Sequence, residues 1–119
     1  MDPVLINLTP HAVDVVDPDS GTVIASLPPE PEPARVEMER ERLGTVTVNG
    51  VSIPVTRNRL GTPSSLPEPA PGRYYIVSRA YAEAVRATGQ PRPDLLVPDD
   101  PVRDDEGRIT GCRGFAVID

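Results

Sequence analysis

The sequence has no lysine and no tryptophan, one cysteine and one histidine among its 119 residues, and aromatic residues make up only 3%. The single cysteine, Cys112, excludes an intrachain disulfide. One histidine and one cysteine also exclude a zinc site built only from cysteine and histidine within one chain. With so few aromatic rings the core must consist mainly of Val, Ile, Leu and Ala, of which the β-branched residues favour strands.

The charge balance excludes further classes of protein. The formal net charge is −6, and all twelve basic residues are arginine. Generic nucleic-acid binding needs a positive field, so this balance argues against it. No apolar run approaches the roughly 20 residues of a membrane span, and residues 1–3 do not begin a signal peptide. We therefore expect a cytoplasmic protein with no membrane partner.

The familiar catalytic motifs are also missing from the sequence. It contains no glycine-rich phosphate loop ending in lysine, no Gly-x-Gly-x-x-Gly after a strand and no Gly-x-Ser-x-Gly elbow. We expect no catalytic residues, no cofactor and no bound metal; this favours a protein that is not an enzyme and leaves the question of activity open. The dense carboxylates of 99–106 leave a Mg²⁺ or Ca²⁺ site open as an alternative to a solvated acidic loop.

Proline is abundant, with sixteen residues clustered around 28–33, 63–71 and 91–101. Because proline interrupts helices and central strands, this distribution predicts short strands joined by stiff, extended connections. The length suits one domain spanning 1–119. The predicted short strands are 4–8, 12–17 and 22–27 as a hairpin or meander, 34–38, 94–97 closed by Pro98, and 102–118 as a final hairpin turning at 104–107.

The clearest local pattern is a β-hairpin over 45–56. Asn49-Gly50 supplies the two positive-φ residues of a type I′ turn. The valines and isoleucine on either side alternate with polar residues, which predicts half-buried strands. Pro54 lacks a backbone donor, so the second strand should be an edge.

A strand over 73–77 leads into the one predicted helix, 79–88, which Ser78 can cap and Gly89 ends. A strand–helix–strand unit therefore covers 73–97. Together these patterns predict an α+β, β-rich fold: a bent sheet or small barrel of short, mostly antiparallel strands with one helix.

Four polar residues are candidates for ligand binding: His11, Ser78, Arg103 and Arg113. Arg113 lies between Gly111 and Gly114, and glycines within a strand indicate a bulge or the close approach of another backbone or a ligand. A guanidinium at such a place suits an anion. The alternatives are a turn histidine and a surface ion pair. Cys112 could pair with His11 as a nucleophile, although a buried, inert thiol is commoner.

The segment 5–13, Leu-Ile-Asn-Leu-Thr-Pro-His-Ala-Val, resembles the opening of a family of small proteins of actinobacteria and their bacteriophages. Further matching segments span nearly the whole chain: 66–69, 75–78, 102–104, and 107–109 with Gly111. The family has no common assigned activity. The phage association implies action by binding, whether to host proteins, to nucleotide signals of host defence or to virion parts.

Three functional hypotheses follow. The first is a non-enzymatic small binding protein, phage-related and homo-oligomeric, that sequesters a small anionic or nucleotide-derived ligand. The second is a protein–protein interaction or structural module that acts through a sheet edge and the proline-rich loops, with a host protein as a candidate partner. The third is a small Cys/His hydrolase.

Overall fold

The computed structural model describes residues 3–64 and 66–118, and these residues form eight strands and one helix. In chain order the elements are β1 (Val4–Asn7), β2 (Val13–Val16), β3 (Val23–Leu27), β4 (Met38–Val48), β5 (Val51–Leu60), β6 (Arg73–Ile76), α1 (Arg79–Ala87), β7 (Leu95–Arg103) and β8 (Ile109–Ala116). No helix within this described part is long and apolar enough to cross a membrane. The β-rich α+β composition with one helix is as predicted.

Six strands form one nearly closed, barrel-like sheet in the order β1-β6-β7-β8-β2-β3. The sheet is mixed. Its β1–β6, β6–β7 and β2–β8 pairs are parallel, whereas β2–β3 and β7–β8 are antiparallel. β4 and β5 form a separate two-stranded sheet. The barrel-like sheet forms the body of the protein, and the β4–β5 hairpin is attached to it.

The first three strands do not form one meander. β2 and β3 make the expected hairpin, but β1 lies beside β6, with Val4 opposite Arg73 and Asn7 opposite Ile76. The predicted strand over 34–38 is also wrong for most of its length, because β4 begins at Met38. The sequence of a short apolar strand does not specify which other strand it pairs with. The pairing depends on which face of the strand becomes buried in the fold.

The strand–helix–strand unit is confirmed. The Ser78 hydroxyl accepts a hydrogen bond from the Tyr81 backbone N–H at 3.1 Å and so caps α1. Gly89, with φ of +84°, lies just beyond the helix, a conformation that glycine adopts at no steric cost. The crossover helix allows β6 and β7 to be parallel neighbours.

β7 does not end at Pro98 as predicted; it continues through Pro98 and Pro101 to Arg103. β6 pairs only with Leu95 and Leu96, so the rest of β7 has β8 as its single partner. The open side of an edge strand needs no backbone donors, and proline is tolerated there.

The core lies between α1 and the β6–β7 part of the sheet. Its buried members are Leu8, Tyr75, Val77, Tyr81, Ala82, Val85, Leu95 and Val97. Tyr81 is fully buried, and its hydroxyl donates to the Ser64 carbonyl. Burial raises the pKa of this hydroxyl, so it remains a donor at neutral pH. The residues that follow β5 are thereby tied to the core.

Candidate functional site

The β4–β5 hairpin, residues 38–60, is a long arm. Its rungs run from Met38 opposite Leu60 to Val48 opposite Val51. Asn49 and Gly50 at the tip have φ of +49° and +80°, as a type I′ turn requires. The hairpin predicted over 45–56 is therefore confirmed, and it extends to 38–60.

Every residue of the two arm strands is exposed, so the predicted half-burial is wrong. Neither strand pairs with the six-stranded sheet in the described part of the chain. The long axis of the molecule reaches 62 Å against 39 and 26 Å for the others. The arm accordingly lies outside the body.

Cross-strand pairing divides the arm into two faces, because opposite residues share a side of the sheet. Val46 pairs with Ile53, Val48 with Val51, and Gly44 with Val55. We call this side the aliphatic face; its five aliphatic side chains are 38–58% exposed. The opposite face carries a polar set with one proline: Thr45, Thr47, Ser52, Pro54 and Thr56.

All charges of the arm lie in the half nearer the body, and 43–56 carries none. The charged residues are Glu39, Arg40, Glu41, Arg42, Arg57 and Arg59, giving four arginines, two glutamates and a net charge of +2. The remaining eight arginines and sixteen acidic residues leave the rest of the chain at −8. A positive arm thus extends from a strongly negative body.

Paired backbone bonds hold the base of the arm. The Gly61 N–H donates to the Glu37 carbonyl at 2.7 Å, and the Ser64 N–H donates to the Arg35 carbonyl at 2.8 Å. The Arg35 N–H donates in return to the Ser64 hydroxyl at 2.9 Å. Because Tyr81 also binds Ser64, the arm is anchored to the core at its base.

A groove of about 480 Å³ lies beside the residues that lead into and out of the arm. Three residues of the sheet and its β1 end, Ile6, Leu8 and Tyr75, form its apolar lining. The rest of the lining consists of Glu30, Pro31, Glu32, Pro67 and Arg73. The lining has two carboxylates, of Glu30 and Glu32, and one guanidinium, of Arg73. We therefore call it the acidic groove.

A second groove, of about 380 Å³, lies at the C-terminal end of α1. Ala82, Val85, Leu95 and Ile118 supply apolar surface. Arg86, Gln90 and Arg92 are the polar side chains around it. We call it the arginine groove after Arg86 and Arg92.

Arg92 is fixed by a two-bonded ion pair. Its Nε and Nη2 each lie 2.9 Å from a carboxylate oxygen of Asp94, and Nη2 also donates to the Pro67 carbonyl at 2.9 Å. These side chains are only 11% and 12% exposed. The hydrogen bonds from Arg92 lower the pKa of Asp94, and those to Asp94 raise the pKa of Arg92.

Asp94→Asn is expected to lower the free energy of unfolding by about 2 kcal/mol at neutral pH, because a charge-assisted pair is lost. The folded-state pKa of Asp94 is lower than its unfolded-state pKa of 3.8. The ion pair therefore contributes its full stability at pH values above 3.8, and this contribution is lost as the pH falls through the folded-state pKa. The difference between wild type and variant should therefore shrink below about pH 4. Urea titrations at several pH values measure it, with Asp105→Asn as the charge-matched control. A difference that stays constant down to pH 2.5 would contradict the assignment.

The structure brings two of the four expected ligand-binding residues to one end of the sheet. His11 and Ser78 follow β1 and β6, which are parallel neighbours. His11 is exposed, and its backbone carbonyl accepts a hydrogen bond from Asn7 Nδ2 at 2.8 Å. The Ser78 hydroxyl is engaged in capping α1.

The other two expected residues lie on the β7–β8 hairpin. Arg103 donates to the Gly107 carbonyl at 2.8 Å. Arg113 donates to the Pro101 carbonyl at 3.3 Å and lies 3.5 Å from an Asp100 carboxylate oxygen. None of the four residues lines the acidic or the arginine groove. Their binding of an anion stays a prediction.

Cys112 is 3% exposed and lies opposite Val15 of β2. Burial raises the pKa of its thiol, which reduces the thiolate that a nucleophile needs. Among the residues that the structure describes, no group of three His, Cys, Asp or Glu side chains could hold a metal ion. In the acidic turn, the Asp104 carboxylate accepts from the N–H groups of Glu106 and Arg108.

The sequence motifs point to arginines near glycines and to the lone histidine, and they indicate neither the arm nor the acidic groove. One signal was present in the sequence: an uncharged, alternating stretch over 43–56 between segments dense in Glu and Arg. The groove left no such signal, because β1, β6 and the proline-rich connection come together only in the fold. Comparison with protein-family models, with curated proteins and with solved structures found no match to this chain.

Proposed function

We propose that this protein is a non-enzymatic interaction module that binds another protein chain through the aliphatic face of its arm. The observation that carries the proposal is the set of five aliphatic side chains, 38–58% exposed, on a hairpin that no strand of the body pairs with. Contiguous apolar surface of this kind on a soluble protein is typical of protein contacts.

The energetics of a hairpin support the same function. A two-stranded sheet on its own is marginally stable in water, and a covered apolar face is what normally stabilises it. The anchored base at Gly61 and Ser64 orders the near end of the arm but leaves the far half without packing. A partner surface would supply that packing, so binding and ordering of the arm are coupled.

The arm fits this function better than the four polar residues fit the capture of an anionic ligand. Ser78, Arg103 and Arg113 are engaged in hydrogen bonds within the chain. The arm strands present side chains that make few contacts of their own, with the 3.9 Å Arg57–Glu41 pair as a weak, exposed exception. Interaction through an exposed sheet element is therefore the function that the geometry favours.

Val46→Glu/Ile53→Glu, a cross-strand pair on the aliphatic face, is expected to weaken association at least about 100-fold. Burying two carboxylates in an apolar contact costs more than about 3 kcal/mol, which corresponds to that factor. Light scattering measures self-association, and quantitative capture on the immobilised chain measures binding of another protein.

The matched control is Thr47→Glu/Ser52→Glu, the neighbouring cross-strand pair on the opposite face. It adds the same charge at the same height of the arm and should leave association within a few fold of wild type. Equal loss in both variants, or association that Val46→Glu/Ile53→Glu does not change, would refute the proposal.

A further inference from the structure

We infer that Asn49, at the tip of the arm, is a site of spontaneous deamidation, and that the product switches off binding through the aliphatic face. The reaction needs water and no enzyme. The deamidation depends on the chemistry of this chain alone. The loss of binding rests on the proposed function and adds a form of regulation to the same site.

Two neighbouring groups make the tip reactive: a free side-chain amide and an unhindered backbone nitrogen. Asn49 and Gly50 are both exposed, and neither the Asn49 amide nor the Gly50 N–H has a hydrogen-bond partner in the described part of the chain. Gly50 has no side chain to shield its nitrogen, and nothing lies within 4 Å of a Cβ built there. Water and hydroxide therefore reach both reacting groups.

The tip is also mobile enough to reach the geometry of attack, in which the Gly50 nitrogen meets Asn49 Cγ. Both arm strands are exposed along their whole length, and a two-stranded sheet without packing is marginally stable. The turn therefore opens locally at a small cost in free energy. In the opened turn the Asn49 side chain samples the rotamers that bring Cγ to the nitrogen.

The reaction has two steps. In the first, hydroxide removes the Gly50 amide proton, the nitrogen bonds to Asn49 Cγ, and the Cγ–Nδ2 bond breaks to release ammonia and leave a cyclic succinimide. In the second, water opens the ring. Attack at Cγ gives an aspartyl residue, and attack at the backbone carbonyl carbon gives an isoaspartyl residue whose main chain runs through Cβ and Cγ. Because the first step consumes hydroxide, its rate rises with pH.

The chain contains two other asparagines that serve as internal controls, Asn7 and Asn58. Asn7 is 2% exposed, and its side chain makes four hydrogen bonds. Asn58 is exposed, but it lies in a paired rung of β5 and is followed by Arg59, which is paired as well. Both must leave a hydrogen-bonded structure before they can cyclise, so Asn49 should react first.

Deamidation changes the tip in two ways that oppose binding. It places a carboxylate next to Val48 and Val51, the last rung of the aliphatic face, in a segment 43–56 that otherwise has no charge. Burying that charge in an apolar contact is costly. The isoaspartyl product also inserts a methylene into a two-residue turn whose geometry depends on two positive φ angles. The rungs nearest the tip should then separate.

Time-resolved peptide mapping by mass spectrometry tests the chemistry on the full-length folded chain at acidic, neutral and mildly alkaline pH. Conversion at Asn49 should be at least about tenfold faster than at Asn58 or Asn7, because a glycine neighbour leaves the attacking nitrogen unhindered. The rate at Asn49 should rise with pH, and the isoaspartyl product should accompany the aspartyl one.

The effect on binding is measured with the same scattering and capture assays as the proposed function. Wild type aged until Asn49 is converted, and freshly prepared Asn49→Asp, should each bind about tenfold more weakly than fresh wild type, since both carry a charge at the contact. The matched control is Asn49→Gly, which keeps a turn of two positive-φ residues and has no amide to lose. It should bind like wild type before and after ageing.

Conversion of Asn49 no faster than that of Asn58, or a rate that does not change with pH, would overturn the inference. A converted chain that binds as tightly as fresh wild type, while the double glutamate variant of the aliphatic face loses binding, would overturn the regulation and leave the proposed function standing. The proposed function fails separately, when that double variant and its matched control bind alike. The regulation then fails with it, and the mass measurement alone decides whether Asn49 is the deamidation site.

Discussion

Replacing Asn7 with alanine is expected to lower the free energy of unfolding by about 3 kcal/mol, because it removes the four hydrogen bonds of a buried side chain. Asn7 is 2% exposed at the end of β1. Its Nδ2 donates to the carbonyls of His11 and Leu27, at 2.8 and 2.9 Å. Its Oδ1 accepts from the Thr9 backbone N–H at 2.9 Å and from the Thr9 hydroxyl at 2.6 Å.

These bonds join the two end strands of the sheet, since Asn7 belongs to β1 and Leu27 to β3. No backbone ladder joins these two strands in the described structure, and the hydrogen bond from Asn7 to the Leu27 carbonyl links them. It also fixes the chain next to Leu8, in the lining of the acidic groove. Loss of Asn7 should therefore loosen the barrel and the groove together.

Urea unfolding followed by circular dichroism measures the effect of Asn7→Ala. Ser26→Ala is a suitable control, because Ser26 donates to the Asp14 carboxylate at 2.6 Å in an exposed position. Its loss should change stability by less than about 0.5 kcal/mol. If Asn7→Ala were as mild as this control, the buried network would have no structural role.

Gly111→Ala is expected to lower the free energy of unfolding by about 2 kcal/mol through overpacking. A Cβ at this position would lie 2.9 Å from the Asp14 carbonyl oxygen and 3.2 Å from Val16 Cγ2. Backbone is the closest obstacle, so β2 must move away from β8 to admit the methyl group. The two strands pair there at Val15 and Cys112, and that pairing should weaken.

Gly114→Ala provides the matched control on the same strand. Nothing lies within 4 Å of a Cβ built at Gly114, and its φ is not positive. This change should stay within about 0.5 kcal/mol of wild type. Hydrogen exchange can localise the difference: amides of β2 should lose protection in Gly111→Ala and keep it in Gly114→Ala. Equal effects of the two changes would refute the close approach of β2.

Local chemistry explains which elements could be predicted. The Asn49-Gly50 turn depends on the φ preferences of two adjacent residues. The start of the helix depends on the Ser78 hydroxyl, which accepts a hydrogen bond from the N–H of Tyr81, three residues later. Both preferences act between residues a few positions apart, so the sequence is sufficient to predict the turn and the start of the helix. Glycines within the last strand predict the close approach of another backbone, and the structure confirms this for Gly111 but not for Gly114.

The sequence by itself determined the hairpin, the capped helix and the β-rich class, because turn, cap and strand preferences act between neighbours. Only the tertiary structure decided that β1 pairs with β6, that Asn7 links β1 to Leu27 of β3, and that the arm lies outside the body. The alternation of Val46, Val48, Val51 and Ile53 with polar residues predicts that one face of the hairpin is covered by other residues. A repeat of two does not identify the surface that covers it. Partner choice and burial depend on residues far apart in the chain, and for the arm the structure leaves the aliphatic face exposed.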